Sequence, residues 1–411
     1  MTTLDLDFVR AQFPTFAHPE MGRWAHLENA GGSYCPVQVV DLLRDLFAHA
    51  KCQPNWGFAP SVMATEAMDR SRSVMAELFG ADEGEVHFGP STSQNTYVLA
   101  KAMRPMWDDG DEVIVTGQDH EANQGVWRRL ADTGIVVKEW AVDPATGLLD
   151  PADLDDLITD RTRLLAVTHA SNVAATINPV RELADRIHAV GGHIVVDGVS
   201  YAPHGLPDVR ALDCDVYLYS TYKTYGPHAG MMYTRRSLLE QMTNQGHYFK
   251  DGTPEGWLTP AGPDHAGIGA VAGVVDYYDT LVAHHGIEGA TRRERIATLF
   301  DAFARHEETI TTPLVELLTG HDRAVLVGAQ SADHHVRAPT IAFHVPGTSS
   351  ASIYDALLAG EISCGHGNFY ARRLVGSLGL DVDDGVVRLS AVHYNTADDI
   401  ARACAVLDEV L

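Results

Sequence analysis

The sequence predicts an α/β protein: a large domain built on a mostly parallel sheet, followed by a smaller C-terminal α+β domain. Three observations carry this. Short β-branched runs alternate with helical patterns between about Leu27 and Tyr233, the signature of a parallel sheet with helical crossovers. Polar residues cluster just after several of those runs. Beyond about Gly269 the texture changes to long helical stretches with few strands.

The predicted strands are Glu112–Thr116, Val136–Val142, Arg163–His169, His193–Asp197, Asp215–Ser220 and Gly230–Tyr233. Between them, Val180, Leu183, Ile187 and Val190 recur at helical spacing, with Asn178 as the expected cap, Pro179 at the first helical position and Gly191–Gly192 as the stop. A helix over Ser61–Phe79 places Val62, Met68, Met75 and Phe79 at near-helical intervals, and its methionines read as core filling. Another is expected over Ser93–Met103. In the C-terminal part, helical patterns over Ala270–His285 and Arg292–Leu318 lead to a strand at Pro339–Val345, and two further elements, Val386–Ser390 and Thr396–Leu411, close the chain. The expected division is residues 1–25 packing with the small domain, 26–280 as the large domain and 281–411 as the small one.

A chain of 411 residues exceeds what one core usually serves, and 45% apolar with 21% charged residues is the composition of a globular protein. The net charge of −25 opposes phosphate backbones and anionic lipid, so neither nucleic acid nor membrane is an expected partner. The opening MTTLDLDFVRAQFP has no basic region followed by an apolar run, so no signal peptide is expected and the expected location is cytoplasmic. The five cysteines (Cys35, Cys52, Cys214, Cys364 and Cys404) are scattered, without zinc-ligand spacing. The pairs His284-His285 and His334-His335 read as surface or loop histidines, because adjacent side chains diverge on a regular element and a metal needs further ligands. No metal site is expected.

In an open α/β sheet, ligands bind beyond the carboxyl ends of the strands. Four strands deliver polar residues there: His120, Asn172, Asp197, and Ser220 with Lys223. Asp alone is a common turn residue. Paired with a lysine on the next strand it suits pyridoxal phosphate, which needs a lysine for a Schiff base and an acid facing its pyridine nitrogen. Lys223 lies in a turn, Ser220-Thr-Tyr-Lys-Thr-Tyr-Gly-Pro-His228, where desolvation would free its amine as a nucleophile. The stretch His87-Phe-Gly-Pro-Ser-Thr-Ser-Gln-Asn95 opens a helix whose N-terminus can receive an anion. A plain hydroxyl cap accounts for the same residues. Tyr201, Tyr222, Tyr225 and Tyr370 are candidate pocket aromatics, though tyrosine is as often structural.

These motifs together resemble the class V aminotransferases, the fold-type-I pyridoxal-phosphate group that includes cysteine desulfurases. The matching segments are Glu28-Asn-Ala-Gly-Gly-Ser33, Asp119-His-Glu-Ala-Asn123, Thr168-His-Ala-Ser-Asn172, Val196-Asp-Gly198, Ser220-x-Tyr-Lys223 with Gly226-Pro-His228, and Val387-Arg388 before His393-Tyr-Asn-Thr396. The resemblance implies a seven-stranded sheet, a homodimer with the site near the interface, and a role for each residue. Lys223 would hold the cofactor and move the substrate Cα proton. Asp197 would pair with the pyridine nitrogen, and His120 would stack on the ring. Asn172 would approach the 3′-oxygen and the substrate carboxylate. Thr92, Ser93 and Ser220 would hold the phosphate, with Tyr222 where relatives have histidine. Arg388 would grip the α-carboxylate, and Ala30 and Gly31 would line the substrate side.

The chain departs from the desulfurase pattern in three places. In Ile362-Ser-Cys-Gly-His-Gly-Asn-Phe-Tyr370, aligned on Gly365-His366, Asn368 stands at the sulfur-accepting position and Cys364 is out of register. Ser200 replaces a glutamine or histidine near the cofactor oxygen. Gly262, within Thr259–Pro263, stands where a threonine often reaches the partner's phosphate. The expected function is therefore a carbon–sulfur β-lyase on cysteine or a cysteine S-conjugate. The same scaffold also suits a decarboxylating oxidative deaminase, an aminotransferase or an epimerase. A non-catalytic binding protein is the reading of a different class, disfavoured by the retained Lys223, Asp197 and Arg388.

Overall fold

The computed structural model describes residues 2–260, 262 and 264–411. A helix, α1 (Ala59–Phe79), leads into β1 (Val86–Gly89) and α2 (Thr92–Met103). Then come β2 (Glu112–Thr116), β3 (Val136–Trp140), β4 (Thr162–Thr168), α3 (Val180–His188), β5 (His193–Asp197), β6 (Val216–Ser220) and β7 (Gly230–Thr234). These seven strands form one sheet in the order β1-β7-β6-β5-β4-β2-β3. The β6-β5-β4-β2-β3 contacts are parallel, and β7 pairs antiparallel with both β6 and β1.

The core follows from strand alternation. On β4, Leu165 and Val167 join one apolar cluster while Leu164 and Ala166 join another; on β5, Ile194 and Val196 face the first and Val195 the second. Both faces are thus covered, which explains why these strands read as continuous apolar runs. The second half of the chain supplies α4 (Ala272–His284), α5 (Arg292–Gly320), β8 (Val325–Leu326), β9 (Thr340–His344), β10 (Gly365–Gly367), β11 (Val386–Ser390) and α6 (Ala397–Val410). An antiparallel sheet, β10-β11-β9-β8, packs its own core through Ile341, Phe343, Val387 and Leu389. Helix α5 ties the two cores together: Leu299 and Phe303 lie in the first, Leu314 and Leu318 in the smaller one. The N-terminal segment touches both, Val9 and Phe13 in the first and Ala25 in the smaller.

The six predicted strands of the large sheet form within about two residues of their expected bounds. The seventh, β1, is missed because its four residues, Val-His-Phe-Gly, sit directly before the turn that opens α2. Asn178 does not cap α3. Its side-chain amide donates to Gln118 Oε1 (2.8 Å) and the Thr168 carbonyl (2.8 Å), tying the β2 and β4 loops together, and the helix starts after Pro179 without a side-chain cap. The helix expected over Ala270–His285 is two, His265–Ala270 and α4.

Candidate functional site

The carboxyl ends of β2, β4, β5 and β6 open onto one cavity of about 400 Å³. His120, Asn172, Asp197, Ser200, Ser220, Tyr222 and Lys223 all line it, joined by Thr92 and Ser93 from the start of α2. Register explains the convergence: Thr168 at the end of β4 pairs with Asp197, and Asp197 pairs with Leu218 of β6, whose next turn carries Lys223.

Of the five lysines, Lys223 alone is buried, 8% exposed. Desolvation, reinforced by the Arg388 charge, lowers its pKa to about 8, so far more of the amine is neutral near physiological pH than in a solvated lysine, though the protonated form still predominates. The turn that holds it is clamped from the N-terminal motif: Ser33 Oγ donates to the Lys223 carbonyl (2.8 Å) and the Ser33 N–H to the Tyr222 carbonyl (3.1 Å). Asp197 is also buried. One carboxylate oxygen accepts the Val199 N–H (3.0 Å), and burial pushes its pKa up. Among the described residues neither Lys223 nor Asp197 forms an ion pair within 4.0 Å. A buried acid and a buried amine facing one cavity without ion-pair partners leave a place for a group bearing both a carbonyl and a cationic ring. Asn172 adds to this, since its buried Oδ1 has no hydrogen-bond partner.

The hydroxyl-rich end of the cavity has its own local cause. Ser91 caps α2 by accepting the Gln94 N–H (3.2 Å), and Thr92 Oγ1 lies 2.7 Å from Ser220 Oγ. The helix start sits this close to β7 because Gly230 has no side chain: a Cβ there would come within 2.4 Å of the Ser91 carbonyl carbon. Hydroxyls beside the free N–H groups of a 12-residue helix form an anion site. Over the cavity, His120 Nδ1 accepts the Ala122 N–H (3.0 Å). Burial, with Lys223 and Arg388 adding to it, lowers its pKa to about 3, so the ring stays neutral and apolar-faced. The adjacent Asp119 was only part of a motif in the sequence. In the fold it braces the β2 and β4 ends by accepting from Asn123 Nδ2 (2.7 Å) and the Thr168 N–H (3.1 Å), and burial raises its pKa to about 8.

Arg388, on β11, reaches the edge of this site from the smaller sheet. It is 3% exposed, stacks 3.8 Å from the Phe369 ring centroid, and donates from Nη1 to the Asn172 carbonyl (3.2 Å). Nη2 donates to Glu28 Oε1 at 2.6 Å, while Arg388 Nε and Glu28 Oε2 have no partner. The fork is therefore only partly used. Gly31 makes the pair possible, because a Cβ there would lie 2.6 Å from Glu28 Oε1. Ala30 is fixed alongside by its N–H to Ser390 Oγ (2.8 Å). Glu28 is the functional candidate the sequence reading missed; its position three residues before Gly31 carried no charge-pair signal.

Two of the candidate aromatics lie elsewhere. Tyr225 is fully buried in the core against His393, and Tyr201 stacks on His169 at 3.7 Å and lines a different cavity. Tyr222 and Tyr370 do line the site, with His228 stacked on Tyr222 at 4.5 Å. Phe369 and Tyr370 both take left-handed backbone angles (φ 50° and 59°), a conformation that costs energy for bulky residues. Beside them Asn368 donates to the Val382 carbonyl (2.8 Å) and accepts the Tyr370 N–H (3.1 Å). Cys364 is 8% exposed in the smaller core, its thiol pushed up to about 12 by burial and by Glu28. Gly262 lies in a neighbouring apolar cavity with Gln94 and Tyr97; the adjoining Ala261 and Pro263 are outside the described residues.

The chain matches the family described as aminotransferase class-V over residues 25–403. It is 34% identical over 420 residues to the aminotransferase-like protein FGM3 of Gibberella zeae, covering 100% of this chain and 99% of that protein. It is 30% identical to a cysteine desulfurase of Serratia proteamaculans, covering 98% of each. It is 29% identical to the cysteine desulfurase-like protein ustD of Aspergillus flavus, covering 99% of this chain and 91% of that one. The fold superposes on the cysteine desulfurase CsdA of Escherichia coli (TM-score 0.82, 23% identity, 99% and 98% covered). It superposes equally on a cysteine desulfurase of Thermococcus onnurineus (TM-score 0.85, 23% identity, 100% and 99% covered). The chain belongs to the class-V aminotransferase family, whose members use pyridoxal 5′-phosphate.

Proposed function

We propose that this family member is a carbon–sulfur β-lyase, cleaving cysteine or a cysteine S-conjugate to a free thiol, pyruvate and ammonia. The observation that carries the reading is a desulfurase frame without an available thiol. No cysteine is among the described residues lining the cavity, Asn368 stands where the resemblance to desulfurases would place the sulfur acceptor, and Cys364 is buried with its thiol held protonated. Sulfur then has no protein acceptor and leaves with its own substituent.

Pyridoxal phosphate, when bound, supplies an electron sink that acidifies the substrate Cα–H. Thr92, Ser93, Ser220 and the α2 N-terminus would hold its phosphate, Asp197 would face its ring nitrogen and keep it protonated, and His120 would lie against the ring. Asn172 orients the site from the β4 loop, with Ser200 leaving room where a longer side chain would reach. Arg388 holds the substrate carboxylate with its guanidinium fork, the carboxylate taking over the arm that Glu28 occupies in the ligand-free enzyme, beside the Ala30–Gly31 backbone. Lys223 takes the Cα proton as a neutral amine. The Cβ–S bond then breaks with its electron pair on sulfur, and the Lys223 ammonium can return its proton to the departing thiolate. The three-carbon enamine that remains takes up water to give pyruvate and ammonia, so the reaction balances with one water and no oxidant.

A homodimer fits the surface: Trp56, Phe58, Tyr248 and Phe249 are each more than half exposed, and Tyr97 stands exposed at the cavity mouth. Among the described residues no helix is long and apolar enough to cross a membrane, and the proposed location is cytoplasmic.

The test is incubation of cofactor-loaded enzyme with S-methyl-, S-benzyl- and unsubstituted cysteine. Equimolar pyruvate and thiol (sulfide from cysteine) are expected. Alanine with a protein-bound persulfide, or no product across the panel, would overturn the reading.

A further inference from the structure

A second cavity, about 290 Å³, lies between α5, the turn after β5 and the loop before β9. It is distinct from the cofactor cavity: Ser200 lines one and the next residue, Tyr201, the other. His334 and His335 line it together with Glu307, Glu308 and His204. Neighbouring histidines diverge on a helix or strand, but this loop is neither, and their ring centroids lie 4.0 Å apart. With Asp333 they form the one cluster among the described residues whose histidine, cysteine or carboxylate ligand atoms lie within 4.8 Å of one another.

Two further carboxylates come from α5. Glu308 Oε2 accepts the His334 backbone N–H (3.2 Å) and also contacts His334 Nδ1. A carboxylate on one ring nitrogen is the usual outer support of a metal-binding histidine, because it fixes the tautomer and leaves the other nitrogen's lone pair free. Glu307 is 1% exposed. One oxygen meets His204 Nδ1 at 3.0 Å, and the other, Oε1, has no hydrogen-bond partner. A buried carboxylate oxygen left bare is costly, and a cation in the cavity would offset that cost. Arg337 lines the same cavity, but its Nε, Nη1 and Nη2 donate to the carbonyls of Ala329, Thr340 and Val327, and it makes no hydrogen bond to Glu307.

We propose that Asp333, His334 and His335, supported by Glu308 and backed by Glu307, bind a divalent transition-metal ion of the zinc class. Two imidazoles with carboxylates and no thiolate suit zinc, nickel or cobalt better than calcium or magnesium, which prefer all-oxygen sets. Asp333 and His335 are exposed, which gives the ion an entry path. The bound ion would tie the loop to α5. That loop is itself bonded to the β4 side of the large sheet through Ile177 N–H to the Val336 carbonyl (3.0 Å) and Ala338 N–H to the Ala175 carbonyl (2.9 Å). The site owes nothing to the catalytic reading and stands or falls apart from it.

The test uses tag-free, cofactor-loaded enzyme freed of metal by chelator dialysis and titrated with zinc alone. One ion per chain is expected, with a rise in Tm, and both are lost in the double variant H334A/H335A. Glu308→Gln should weaken binding about ten-fold or more, the usual effect of removing an outer partner. Unchanged cofactor absorbance reports that each variant is folded; should the double variant lose it, His335→Gln, at an exposed position, carries the comparison. No stoichiometric zinc in the wild type, or equal zinc affinity in the folded histidine variants, would overturn the proposal.

Discussion

Glu28→Gln separates two roles that the same contact could serve. Glu28 Oε1 is 2.6 Å from Arg388 Nη2, the arginine is 3% exposed and the glutamate side chain 26% exposed. With charge centres roughly 4 Å apart and an effective dielectric near 20, the gross attraction is about 4 kcal/mol. Partial exposure of Glu28 screens it to about 2 kcal/mol. If an incoming α-carboxylate must take over that arm of the fork, it forfeits this contact on binding. Glutamine keeps the length and a carbonyl acceptor but removes the charge. The variant should therefore bind amino acids about 30-fold more tightly, since each 1.4 kcal/mol is tenfold. An amine of the same shape without a carboxylate should bind as before. The ligand-free enzyme should also be less stable, because a buried guanidinium has lost its counter-charge. Titrating the cofactor absorption band with norvaline and with n-butylamine, which have the same shape but no sulfur to eliminate, gives both affinities without relying on turnover. Weaker amino-acid binding in the variant, or equal tightening for both ligands, would refute competition and leave Glu28 as a residue that merely aims Arg388.

Other consequences follow from single contacts. The rate at which apoenzyme captures cofactor should rise about tenfold per pH unit below 8 and level off above it, because the neutral amine reacts and Lys223 titrates at about 8; a stopped-flow rate still climbing through pH 10 would place that lysine in water. Gly230→Ala drives a Cβ to within 2.4 Å of the Ser91 backbone, displacing the α2 start; a stability loss of about 1–3 kcal/mol and a clear drop in cofactor affinity are expected in denaturation and dialysis measurements. Cys364→Ala should leave turnover unchanged and cost about 1 kcal/mol of stability, as for a small core truncation; a large fall in kcat would restore a chemical role to that thiol.

The central sheet was legible because its strands are buried on both faces and therefore read as uninterrupted β-branched runs ending in polar residues. That pattern placed His120, Asn172, Asp197 and Lys223 at one edge before any contact was known. What escaped has physical causes. β1 is four residues long and merges with the following turn. Asn178 looks like a helix cap in sequence, yet its amide finds two stronger partners, Gln118 and the Thr168 carbonyl, across the strand ends. Tyr201 and Tyr225 flank the site residues in sequence, but the first faces the second cavity and the second is packed against His393. Arg388 lies on a separate sheet, 165 positions after Lys223. No periodicity links it to the cavity, and its assignment came only through family resemblance. Glu28 opened a family motif but carried no role of its own in the sequence, because a charge pair 360 residues apart is visible only once the chain is folded.

In the proposed mechanism Lys223 is the cofactor's covalent anchor. Borohydride reduction of the loaded enzyme, followed by peptide mass mapping, tests this most directly. The phosphopyridoxyl group should appear on the peptide carrying Lys223 and on no other. Stoichiometric label on Lys51, Lys101, Lys138 or Lys250, or retention of a reducible cofactor band in Lys223→Ala, would contradict the assignment.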